Sequence, residues 1–209
     1  FIILPIVFLL IGYLLFFICL TPILSPLVSI YELAFSNANV NTIVEPGENS
    51  AFNGGSGVDN GYLTSGDITF PSYGDHFGHI TVIDTDVIFG DDTSLLKKGA
   101  CMSYYSHIPG CGRGVLIGAH NNTYFHSLQD VQTGALVNLS TTYGNFVYRV
   151  YLTNVINVDT DSSYRAALNG DKETLILYTC YPNNTLSLTP YRFIAYCEKV
   201  SGPHVNMYE

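Results

Sequence analysis

Ile176-Leu177-Tyr178-Thr179-Cys180-Tyr181-Pro182, then the polar residues Asn183, Asn184 and Ser187, then Pro190-Tyr191-Arg192-Phe193-Ile194-Ala195-Tyr196, form the stretch whose reading decides the fold. An apolar run ending in cysteine, a polar turn and a second apolar run that opens on arginine read as a β-hairpin. Folded about its midpoint near Leu186, the hairpin sets Cys180 roughly opposite Arg192, with both side chains on one face. The same register sets Cys197 opposite a residue near Leu175, roughly 17 Å along the strand from Cys180. A disulfide tolerates Cα separations only up to about 7 Å, so Cys180 and Cys197 are not expected to bond.

A thiol beside a guanidinium has chemical content. A thiolate attacking a carbonyl creates a tetrahedral oxyanion, and a fixed cation stabilises that species more than the ground state. The missing part is a proton carrier. His120 supplies one, because Val115-Leu116-Ile117-Gly118-Ala119-His120 is another apolar strand that runs out at a titratable residue. Taken singly, each residue has an ordinary reading: a small buried hydrophobe, a loop histidine, a strand-edge cation. The combination points to a nucleophilic enzyme.

Leu177-Tyr178-Thr179-Cys180 resembles the Thr-Leu-x-Thr-Cys signature of sortases, the membrane-bound cysteine transpeptidases of mainly Gram-positive bacteria. Cys180-Tyr181-Pro182 and Pro190-x-Arg192-Phe193-Ile194 resemble the class D or housekeeping-like branches. Leu96-Lys97-Lys98-Gly99, followed by Pro109-Gly110-Cys111-Gly112-Arg113-Gly114 and the strand to His120, resembles the approach to the sortase histidine. The similarity runs from about Gly78 to Val200. Two positions depart from the family pattern: the first Thr of the signature is Ile176, and the usual Ala-Gly-His order is inverted in Gly118-Ala119-His120.

The resemblance implies roles. Cys180 would attack the Thr-Gly carbonyl of a Leu-Pro-x-Thr-Gly-like sorting signal on a surface protein, His120 would move the proton, and Arg192 would hold substrate or oxyanion. Thr179 would contact substrate, and the Tyr181 backbone N–H would be a second oxyanion donor. The acyl acceptor would be lipid II or a similar cell-wall amine. No cofactor or metal is implied, and His126 is the fallback base. Two alternatives stay open: a non-catalytic, disulfide-stabilised surface binding module, and a pilin-polymerising sortase. The absence of Trp removes the Asp-Pro-Trp lid common in pilin polymerases and tilts against that role.

The rest of the chain fits this frame. It has 209 residues, a formal net charge of -9 and only 8 Lys and Arg, so it lacks a phosphate-binding footprint and nucleic acid is not an expected partner. No residue from Phe1 to Tyr31 is charged, and such a run spans a hydrocarbon core about 30 Å thick. We expect a single-pass transmembrane anchor over 1–35, with the catalytic domain outside the cell; a first residue of Phe reads as the start of a fragment. Residues 36–66, rich in Asn, Gly and Ser, read as a flexible tether.

From 67 to 209 the expectation is mainly β: a closed sortase-type barrel with one or two short helices, since closure removes strand edges. His79–Ile83 and Val87–Phe89 read as strands punctuated by acidic turns, and Asp92–Gly99 as a short capped helix. Phe146–Val158 alternates, with Tyr148, Val150, Leu152, Ile156 and Val158 on one side and a bend expected near Asn154. A second short helix follows over Tyr164–Gly170, in the segment that borders the sortase substrate groove. A disulfide between Cys101 and Cys111 is left open.

Overall fold

The computed structural model describes residues 60–183 and 189–207, with isolated helical positions at 8, 11–13 and 16. Among the described residues no helix is long and apolar enough to cross a membrane. The expected anchor lies almost wholly outside them, as does most of the tether. The end of that tether is a correction: Tyr62–Thr64 forms strand β1, which pairs in parallel with β10, His204–Asn206. Its backbone hydrogen bonds and the stacking of Tyr62 on His204 at 5.5 Å order a stretch that composition alone marks as loose.

Eight further strands are β2 (His76–Ile80), β3 (Thr85–Phe89), β4 (Ala100–Met102), β5 (Val115–Gly118), β6 (Leu136–Thr141), β7 (Asn145–Asn157), β8 (Thr174–Cys180) and β9 (Tyr191–Ser201). They close into a barrel in the order β2-β3-β4-β5-β8-β9-β7-β6, with β6 pairing back to β2. Closure leaves no free edge among these strands.

Period-two alternation fills the interior. Val115, Ile117, Leu175, Leu177, Phe193, Ala195 and Cys197 point inward to meet Phe77, Phe125, Leu139, Phe146 and Tyr148. The opposite faces of β8 and β9 are covered too. Ile156, Ile176, Ile194 and Tyr196 form a second cluster under α2 (Ser163–Leu168), which contributes Tyr164, Ala167 and Leu168. Burial on both faces explains why β8 reads as a continuous apolar run.

The short helix α1 (Thr93–Leu96) is capped by Asp92, whose carboxylate accepts from the N–H groups of Ser94 and Leu95 at 2.7 and 3.0 Å. The acidic turns are structural. Asp86 accepts from the ring of His79 at 2.9 Å, and Asp91 accepts from the Ser103 hydroxyl at 3.2 Å.

One strand departs from its expected phase. Val150 pairs with Cys197 and Leu152 with Tyr196, so β7 carries an extra residue at Tyr151. This bulge reverses the alternation. Tyr148 and Val150 face the barrel interior, Leu152 is exposed, and Ile156 joins the outer cluster.

Candidate active site

β8 lies between β5 and β9, so the register of three strands fixes the site. β5 runs parallel to β8 with Gly118 beside Tyr178, and β9 runs antiparallel with Arg192 beside Cys180. Past the end of β5, the Ala119 N–H donates to the Tyr178 carbonyl at 3.3 Å, and the Thr179 hydroxyl donates to the Ala119 carbonyl at 2.8 Å. Ala119 is therefore held against Tyr178 and Thr179, and His120 is the next residue along the chain. Cys180 and Arg192 form one row across neighbouring strands about 4.8 Å apart, and His120 follows two residues after the end of β5.

One step below runs the row Gly118, Tyr178, Ile194. A Cβ on Gly118 would lie 2.3 Å from Cζ of Tyr178, because the phenol ring rests across that glycine. The inverted Gly118-Ala119 order thus has a steric basis. Glycine accommodates the ring on the outer face, while the Ala119 methyl, at 7% exposure, packs into the interior. A cleft of about 230 Å³ continues along this face, lined by Leu116, Val158, Tyr164, Tyr178, Arg192 and Ile194. Arg192 is the member of the trio that lines it, and α2 borders it through Tyr164.

The groups of the row are only partly committed. Cys180 is half-buried at its strand end. Burial pushes the Cys101 and Cys197 thiols up to about 12 and Cys111 to about 11, so these three stay protonated at neutral pH. All four are free, so the disulfide left open between Cys101 and Cys111 is not formed; Cys101 packs on Ile88 and Leu95 while Cys111 packs against the main core. Cys197 faces the interior opposite Leu175.

Burial lowers the His120 pKa, and the nearby Lys97 ammonium lowers it further. The neutral imidazole therefore prevails at neutral pH. Arg192 donates through Nη1 to the carbonyls of Thr189 and Tyr191; its Nε and Nη2 make no hydrogen bond among the described residues. Three other histidines are engaged elsewhere: His76 and His79 flank Asp86 on the barrel wall, and His204 stacks on Tyr62. His126 is exposed on a 3-10 turn, His126–Asp130.

Two expected roles change. The Thr179 side chain is 1% exposed and bonded to Ala119, so as placed it ties the two strand ends together and does not line the cleft. The Tyr181 N–H donates to the Tyr191 carbonyl at 3.0 Å, extending the hairpin ladder, and is not directed at a substrate position.

Three side chains escaped sequence reasoning. Gln129 donates through Nε2 to the Cys180 carbonyl at 3.0 Å and to Oδ1 of Asn183. Asn183 donates to the His126 carbonyl at 2.9 Å, and Asn121 to the Pro182 carbonyl at 2.9 Å. Among the described residues no group of three His, Cys, Asp or Glu is placed to hold a metal.

The Sortase domain family matches residues 77–200, which contain the whole row. The chain belongs to the sortase family. A curated sortase D of Bacillus subtilis is 30% identical over 115 residues, covering 55% of this chain and 57% of that protein. The match thus spans little more than half of that relative's length. Among solved structures, a sortase from Actinomyces oris superposes with a TM-score of 0.57 at 16% identity, covering 64% of this chain and 84% of that one. A sortase C of Clostridium perfringens, solved with the C-terminal cell wall sorting motif, gives 0.53 at 22% identity, covering 62% and 72%. These likenesses carry the sortase barrel over to this chain.

Proposed function

We propose that this sortase is a cysteine transpeptidase, with Cys180 as nucleophile, His120 as proton carrier and Arg192 as the cation for substrate or oxyanion. The observation that supports the reading is the register: Cys180 pairs with Arg192 on the adjacent strand, and Ala119, the residue before His120, is hydrogen-bonded to Tyr178 and Thr179, the two residues before Cys180. As the Cys180 sulfur bonds to the carbonyl carbon of a Thr-Gly peptide, neutral His120 takes the thiol proton. The C–N bond then breaks, and His120 returns the proton to the departing amine. A second amine attacks the thioester, His120 accepts its proton, and the C–S bond breaks with reprotonation of the sulfur. Arg192, the register partner of Cys180, opposes the negative charge of both tetrahedral states.

The substrate fits the same reading. A cleft floored by Tyr178 and walled by Leu116, Val158 and Ile194 suits the apolar leading residues of an LPxTG-like signal. The clostridial sortase C solved with its sorting motif is a precedent for that class of ligand. The acceptor would be a cell-wall precursor amine, and the uncharged stretch before Glu32 would anchor the enzyme in the membrane with its barrel outside.

The test is to incubate the full chain, purified in detergent, with a panel of sorting-signal peptides and amines. We expect cleavage between Thr and Gly and an amine-dependent ligated product, both absent in Cys180→Ala. Cleavage by Cys180→Ala at the parental rate would overturn the assignment.

A further inference from the structure

The nucleophile sits at the last residue of a strand, where the regular ladder ends. Three carboxamides take over there. Gln129 holds the carbonyl of Cys180 itself, Asn183 completes a loop back to the His126 carbonyl, and Asn121, next to the base, holds the Pro182 carbonyl. The Phe125 N–H donates to the His120 carbonyl at 3.0 Å, so the 3-10 turn bearing Gln129 continues directly from the turn bearing the base. Leu128, fully buried in the main core, pins that turn to the barrel.

We propose that Gln129 is a positioning residue for acyl transfer, its carboxamide locking the strand end that carries Cys180 to the turn that follows His120. The proposal rests on the cysteine–histidine reading above. Both N–H donors of one amide are used, one on each side of Tyr181-Pro182, so a single side chain fixes where the sulfur lies relative to the imidazole. Gln129 touches neither substrate nor reacting atom. Its contribution is alignment, and a misplacement of about 1 Å costs on the order of a hundredfold in rate.

Its chemistry predicts a distinctive pH signature. In Gln129→Glu a carboxylate would set an acceptor against the Cys180 carbonyl, whereas the protonated acid restores one donor. Partial burial and facing oxygens favour the protonated form and raise that pKa. The ratio of variant to parent should therefore rise as pH falls.

The experiment compares the full chain with Gln129→Ala, Gln129→Glu and Asn183→Ala, measuring kcat and KM for peptide cleavage. It also follows carbamidomethylation of Cys180 by peptide mass, a readout independent of peptide turnover. We expect Gln129→Ala to lower kcat and the neutral-pH alkylation rate between about tenfold and a hundredfold, with KM within about twofold. The Gln129→Glu ratio to parent should climb from pH 8 to pH 5.5. Asn183→Ala, which breaks the same link from the other side, should move both rates the same way by less, and keeps the test open if Gln129→Ala does not fold. Parental alkylation and turnover in Gln129→Ala, or a flat pH ratio, would overturn the proposal. Loss of peptide turnover in the parent, with alkylation still dependent on Gln129, would instead count against the transpeptidase reading.

Discussion

At the entrance to β8, Glu173 is 6% exposed and fully engaged: Oε1 accepts from Tyr148 at 2.7 Å and from Gly110 N–H at 3.0 Å, Oε2 accepts from Gly112 N–H at 3.1 Å, and Lys199 lies 3.5 Å away. At its exit, Cys180 is half-exposed, the His120 ring makes no hydrogen bond among the described residues, and Arg192 keeps donors in hand. Seven residues of one strand thus join two polar centres with opposite fates. One spends its hydrogen-bonding capacity inside the protein; the other leaves much of it unspent among the described residues. A buried charge is tolerable only when paired and bonded, whereas a catalytic group must retain unspent capacity until the transition state forms.

The largest expected effect falls at the entrance. Glu173→Gln leaves the Lys199 ammonium, itself only 12% exposed, without its anion, and should cost about 3 to 5 kcal/mol of stability. Urea unfolding measures this. The contrast predicts that kcat of the remaining folded protein stays at the parental value; a parallel loss of kcat would show that the two ends are coupled.

An intermediate effect is expected one row below the exit. Gly118→Ala drives a methyl into the Tyr178 ring, and overpacking of this kind costs about 1 to 3 kcal/mol. In a Tyr178→Val background the same change should cost no more than about 0.5 kcal/mol. Additivity across this double-mutant cycle would remove the steric explanation for the inverted Gly-Ala order.

The smallest effect is electrostatic and concerns the exit alone. Lys97 disfavours the imidazolium, so Lys97→Gln raises the His120 pKa. If acylation draws on neutral His120 as proposed, the acidic limb of the kcat/KM profile should move to higher pH, by only part of the full depression since burial is the larger cause. A limb that stays in place, or moves to lower pH, would detach His120 from the first proton transfer.

The exit end was the more legible in sequence. Strands β8 and β9 are long and apolar, so the hairpin aligned Cys180 with Arg192 and Cys197 with Leu175 as the residues implied. His120 was reachable because its strand also ends abruptly. The bulge at Tyr151 was hidden, since an extra residue leaves the alternation intact on either side and only the partner strand exposes the slip. Gln129, Asn121 and Asn183 were hidden for another reason: three of their four contacts reach backbone carbonyls 51 to 61 residues away, and a backbone carbonyl leaves no trace in the amino-acid letters. Thr179 carries the family signature, yet its hydroxyl turned out to clasp Ala119, a placement decided by which face of β8 it occupies.

Trapping the acyl-enzyme separates the proposed roles of Cys180, His120 and Arg192. The full chain is mixed with a sorting-signal peptide, quenched in acid and mapped by mass, beside His120→Ala and Arg192→Ala. We predict a thioacyl adduct on Cys180 in the parent, almost none in His120→Ala, and formation slowed by orders of magnitude in Arg192→Ala. An adduct on another residue, or acylation of both variants at the parental rate, would contradict it.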